Sequence, residues 1–151
     1  MNSLYRYFFL KIPFVILGLK GDSESCLLIR SLLSSMIALS QHEYEVISEK
    51  GLAMVTSILT RADWLREDIL PPLIQMLSAP NLTYYEYIGA LSIIKKRENL
   101  DLILNNHELS HSLIMAACKS FPIIQTLPGD KQQKVSDNFH HLILLILDEV
   151  C

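Results

Sequence analysis

The sequence predicts an all-α protein, and three observations carry that reading. Apolar residues recur along most of the chain at the three-and-four spacing of a helix face. No hairpin turn signal and no run of alternating β-branched residues interrupts them. Helix-starting residues such as Ser23, Asp63 and Thr83 precede the apolar stripes. The chain has 151 residues, half of them hydrophobic (50%) and only 19% charged. That is too much apolar side chain to leave in water, which excludes disorder as the main state. Five glycines and six prolines are too few for a low-complexity or collagen-like chain. The mean hydropathy of +0.29 is high for a free-standing domain.

The elements follow in chain order. Residues 8–19 read FFLKIPFVILGL, twelve residues with Lys11 and Pro13 inside. A membrane-spanning helix needs about 20 apolar residues, so no stable span is expected there. Arg6 ahead of the run gives weak support to a secretory signal, and Lys11 within it opposes one. The favoured expectation is a first helix or strand packed on the rest. Gly18, Gly21, Asp22 and Ser23 make a break, and a helix over 26–39 follows with Leu28, Leu32, Leu33, Met36 and Ile37 as its stripe.

After a break at Ser40, Gln41 and His42, a helix over 43–59 carries Val46, Ile47, Leu52, Val55, Ile58 and Leu59, interrupted by Gly51. Asp63 caps a segment through Leu77 that contains Pro71 and Pro72. Two prolines remove two N–H donors, so this helix is expected to break before Pro71 or to restart there. Thr83 caps a helix over 84–97 with Tyr84, Tyr87, Ile88, Leu91 and Ile94, ended by Glu98 and Asn99. A short apolar turn over 100–104 leads to a helix ending near Ser120, with Pro122 in a loop. The last helix runs from Lys131 to the end, striped by Val135, Phe139, Leu142, Ile146 and Val150. Its 142–147 stretch, LILLIL, has no polar face to give to water.

Charge and cysteine content exclude several classes. Thirteen basic and sixteen acidic residues leave a net charge of −3. That is no footprint for a phosphate backbone, so no nucleic-acid partner is expected. Cys26, Cys118 and Cys151 are odd in number and far apart, which fits neither a disulfide framework nor a cysteine zinc site. They read as buried or semi-exposed thiols in a reducing compartment.

A weak internal repeat organises the middle of the chain. Ile69-Leu70-Pro71-Pro72-Leu73-Ile74-Gln75-Met76-Leu77-Ser78-Ala79-Pro80-Asn81 leads into a helix ending Gly89-Ala90-Leu91-Ser92-Ile93-Ile94, and then into Asn99-x3-Ile103-x3-His107. A partial earlier copy is Ala38-Leu39 followed by Ile47-x3-Gly51-x-Ala53. Ile69, Leu73 and Leu77 superpose on Leu109, Leu113 and Ala117 at an offset of 40 residues. Over about residues 26–120 this order resembles the armadillo and HEAT-like helical repeat family. The resemblance implies an α-α superhelix that binds proteins or peptides in the cytoplasm or nucleus. A compact helical bundle serving as a regulatory module is the alternative. Residues 1–151 are read as a single all-helical domain or as a piece of a longer repeat array.

One motif points to chemistry. His107-Glu108-Leu109-Ser110-His111 fits H-E-x-x-H, in which two imidazoles four apart bind zinc and the glutamate activates a metal-bound water. A zinc-dependent hydrolase is the enzyme reading that follows. Against it, Asn105 or Asn106 with Glu108 marks a helix start, no third ligand follows closely, and Glu149 is the distant candidate. His140 and His141 point about 100° apart on a helix and do not share a metal easily. No nucleophile elbow or phosphate-cradling glycine loop occurs. The expectation is therefore a non-catalytic interaction or scaffold domain, with no catalytic, cofactor-binding or metal-binding residues and no cofactor. Its partners are expected to be proteins or peptides, within an oligomer or larger assembly.

Overall fold

The computed structural model describes residues 23–150. Among them are seven α-helices and no strand, so the chain is all-α. We name the helices α1 (Ser23–Ser40), α2 (Glu45–Arg61), α3 (Leu65–Met76), α4 (Tyr84–Ile94), α5 (Arg97–Leu104), α6 (His107–Ile124) and α7 (Gly129–Val150). The expectations for residues 1–22, including the apolar run at 8–19, fall outside the described residues. The chain divides into two compact units, Met1–Arg66 and Glu67–Cys151.

In the first unit α1 and α2 pack as a helical hairpin. Its buried apolar residues are Ile29 and Leu33 of α1 and Val55, Ile58 and Leu59 of α2. The sequence stripe placed Leu28 inward, whereas Leu27 and Leu28 are exposed and Ile29 takes the core position. Val46 and Ile47, also read as core, are exposed at the start of α2. The hairpin turns tightly because Gly51 meets the end of α1. A Cβ on Gly51 would lie 2.5 Å from the Ser40 nitrogen and 2.7 Å from the Leu39 carbonyl carbon. The residue that interrupts the apolar stripe is thus the point where two backbones touch. Ser48 closes the same corner, its hydroxyl donating to the Ser40 carbonyl at 2.8 Å.

In the second unit α4 packs on α5 and α7, and α6 packs on α5 and α7. The helix α3 passes through Pro71 and Pro72 without a break. Both prolines are exposed, so the helical carbonyls they fail to serve, those of Glu67 and Asp68, lie on the watered side. Pro122 likewise sits inside α6, which continues to Ile124. The helix expected over 84–97 is two helices. It stops at Ile94, and Lys96 in an extended conformation starts α5 with Arg97. Asn99, expected to end a helix, is buried in α5 and donates to the Ile93 carbonyl at 2.8 Å. That bond closes the end of α4 from the following helix, a service no periodicity count registers.

At the start of α4 the cap on Thr83 is present as a full capping box. The Glu86 nitrogen donates to Thr83 Oγ1, and the Glu86 carboxylate accepts from the Thr83 nitrogen at 2.7 Å. In α7, Val135, Phe139, Leu142 and Ile146 are buried as a stripe, while Ile143, Leu144 and Leu147 remain exposed. LILLIL is therefore covered on one side only.

Two side-chain contacts link residues the same distance apart. Ser120 donates to the Leu77 carbonyl, and Lys95 Nζ donates to Asn138 Oδ1 at 2.9 Å, each across 43 residues. At this separation the buried Leu70, Leu73 and Leu77 correspond to the buried Leu113, Ala116 and Ser120. The sequence superposition used 40 residues; the contacts use 43.

Gly51→Ala isolates the hairpin constraint. Alanine favours a helix by about 1 kcal/mol over glycine. The backbone at Ser40 and Leu39 cannot move aside, so overpacking decides the sign. A net loss of about 1–2 kcal/mol is expected, read as a lower denaturant midpoint.

Candidate functional site

The H-E-x-x-H segment opens α6. Asn106 is its N-cap, and Asn106 Oδ1 accepts from the Glu108 nitrogen at 3.0 Å and the Leu109 nitrogen at 3.2 Å. His107 is the first helical residue, with His111 one turn on, and both are exposed. No capping box forms, because Asn106 is the N-cap, which makes Glu108 the second helical residue and Leu109 the third. Glu108 contributes its backbone N–H, and its carboxylate makes no hydrogen bond among the described residues. Among the described residues no group of three His, Cys, Asp or Glu side chains could hold a metal ion. His140 and His141 are exposed on α7. The two imidazoles of α6 thus stand one turn apart at the exposed start of the helix, and among the described residues no third ligand joins them.

The opposite end of the unit's chemistry is buried. Ser120 is fully enclosed on α6, and its one proton is shared between the carbonyls of Leu77 and Ala116, the latter at 2.6 Å. Beside it lies the hydroxyl of Tyr87, a residue with 0% exposure whose oxygen has no partner at hydrogen-bonding geometry. Burial pushes the Tyr87 phenol above its ordinary pKa, and the neighbouring Ser120 hydroxyl partly opposes that shift. The Tyr87 ring meets Phe139 edge to face, with centroids 6.3 Å apart. This is core cement around a polar pair, with no opening to substrate.

What remains for function is surface. Along α6, Leu109, Leu113, Ala116, Ser120 and Ile124 face inward. On its other side His111, Ile114, Cys118 and Phe121 follow one another at spacings of three and four residues, with Met115 beside them. Phe121 is 60% exposed, Ile114 46% and Met115 42%. This second stripe was missed in the sequence because apolar residues lie on both sides of α6, and periodicity alone does not say which side is covered. Cys118, one of the thiols, is exposed on the stripe.

A third feature joins the starts of α4 and α7. Tyr84 and Tyr85 pack edge to face, 5.1 Å between centroids, and Lys131 Nζ lies 5.4 Å from one ring centroid and 5.2 Å from the other. Since Lys95, just past the end of α4, meets Asn138 further along α7, the two helices run in the same direction. Tyr85, like Tyr84, is half-buried in this contact.

Three outcomes follow from this geometry. Tyr87→Phe deletes a buried hydroxyl that lacks a partner, so stability should be unchanged or higher by up to about 1 kcal/mol. The raised phenol pKa means that the folded state resists ionisation. Stability held below pH 10 is lost as the pH rises through the raised value. Denaturant unfolding above pH 10 should show that loss in the native chain and a smaller one in Tyr87→Phe. For the histidine pair, a chelator should leave thermal unfolding unchanged; about one zinc per purified chain, lost in His107→Ala, would overturn that expectation. No family model, curated protein or solved structure matches this chain.

Proposed function

We propose that this chain is a non-catalytic protein-interaction module built as an armadillo-like helical repeat. The observation that carries the interaction reading is the exposed apolar stripe of α6, with Ile114, Cys118 and Phe121 in one row and Met115 beside it on a helix already anchored by its other face. A large exposed apolar patch on a rigid element marks an interaction surface. The repeat architecture is supported by helix lengths. An 11-residue α4, an 8-residue α5 and an 18-residue α6 follow one another, a short, short, long order. Two contacts spanning 43 residues also support it, because stacked repeats place equivalent positions against each other at the repeat period. An intracellular setting, cytoplasmic or nuclear, fits unpaired thiols such as Cys118, which is exposed. No helix among the described residues is long and apolar enough to cross a membrane.

The stripe is the part to test. Ile114→Glu with Phe121→Glu places two charges on an exposed face, so the fold should survive. Affinity capture from cells that express the chain should return partners for the native chain and at least about tenfold less for the double variant. Light scattering on the same samples reads self-association. A native chain that is monomeric at about 50 μM and captures nothing the double variant does not capture would overturn the reading.

A further inference from the structure

We propose that Tyr84 and Tyr85 form a two-walled aromatic site for a quaternary ammonium, the trimethylated lysine side chain of a partner protein, and that Lys131 occupies this site in cis. The walls come from the edge-to-face pair, whose planes meet at 74° with centroids 5.1 Å apart. The Lys131 ammonium stands nearly equidistant from both rings, at 5.4 and 5.2 Å, within the range of cation–π attraction. The resident group is a lysine, so the site already accommodates a lysine stem and a cationic head.

The site is preorganised. Both tyrosines stand on the first turn of α4, which the Thr83–Glu86 capping box holds in place. The Glu86 carboxylate accepts from both the nitrogen and the hydroxyl of Thr83 at 2.7 Å, so it is committed to the cap. Both tyrosines are half-buried, so neither is sealed from solution.

The resident lysine is weakly held. Among the described residues its ammonium has ring faces as its interaction partners and no ion pair. It is the third residue of α7, in the first turn, where the helix dipole disfavours a cation. Asp130 beside it offsets part of that effect. A trimethylated ammonium brings the same charge with less water to strip and with methyl surface to lay on the rings. An incoming group of this kind therefore has the advantage over Lys131 once it is presented by a partner chain.

This proposal rests on the reading of the chain as an interaction module, and its test is separable from that reading. The full chain is titrated with free Nε-trimethyl-lysine while the tyrosine ring resonances are followed by NMR. The native chain, Lys131→Gln, and Lys131→Gln combined with Tyr85→Leu are compared, each checked for helicity by circular dichroism. Lys131→Gln should show saturable shifts of the Tyr84 and Tyr85 rings and bind about fivefold more tightly than the native chain, because the cis competitor is gone. Unmethylated lysine should bind several-fold more weakly, and Tyr85→Leu should abolish the response. Ile114→Glu with Phe121→Glu should bind trimethyl-lysine as the native chain does, so loss of partner capture through the α6 stripe leaves this site standing. No saturable shift in Lys131→Gln at about 20 mM ligand would overturn the proposal. So would an equal response to lysine, or binding to phosphatidylcholine vesicles with none to trimethyl-lysine.

Discussion

The carbonyl of Leu77 sits just beyond the end of α3, where no later residue of that helix supplies an N–H. Ser120 supplies the donor from the middle of α6, 43 residues later in the chain. That single hydroxyl fixes how α6 is rotated. With Ser120 turned inward, Leu113 and Ala116 must face the core and Ile114, Cys118 and Phe121 must face out. It also leaves no serine proton to donate to the Tyr87 oxygen, which has no partner. A serine hydroxyl has one proton, and the carbonyls of Leu77 and Ala116 already compete for it. The Tyr87 ring is kept for its packing against Phe139, and its oxygen is enclosed as a consequence.

Much of the helical framework could be read from periodicity and capping residues. The stripe Val135, Phe139, Leu142, Ile146 is buried as expected, and Thr83 caps α4 with Glu86. The misplacements have physical causes. Leu28 and Ile29 are adjacent apolar residues, and only the position of α2 decides which of them goes inside. Pro71 and Pro72 lie on a solvent-facing surface, where a missing donor costs less than in a core, so the helix passes through them. Gly51 looked like an interruption, and its reason is a backbone 2.5 Å away, contributed by residues eleven positions earlier. The junction at 95–99 depends on Asn99 reaching back to Ile93, a side-chain bond that propensity does not encode.

The candidate surfaces were less legible than the fold. H-E-x-x-H drew attention because its residue types are chemically loaded, yet the segment is the first turn of a capped helix. The exposed row on α6 consists of ordinary core residue types, so nothing in the sequence distinguished it from the buried row. Tyr84 and Tyr85 were visible as aromatics, but Lys131 lies 46 residues beyond Tyr85, and only the parallel run of α4 and α7 brings the ammonium over the rings.

The two prolines of α3 have a consequence for hydrogen exchange. Pro71 and Pro72 carry no amide hydrogen, so the ladder that would tie them to Glu67 and Asp68 is missing two rungs in the middle of a 12-residue helix. Cooperativity along a helix is transmitted by consecutive rungs. The amides before the gap and those after it are therefore free to open in separate events, each with its own protection factor. A helix continuous in shape would then behave in exchange as two short ones, and the half nearer Leu77, anchored by Ser120, would be the slower to open.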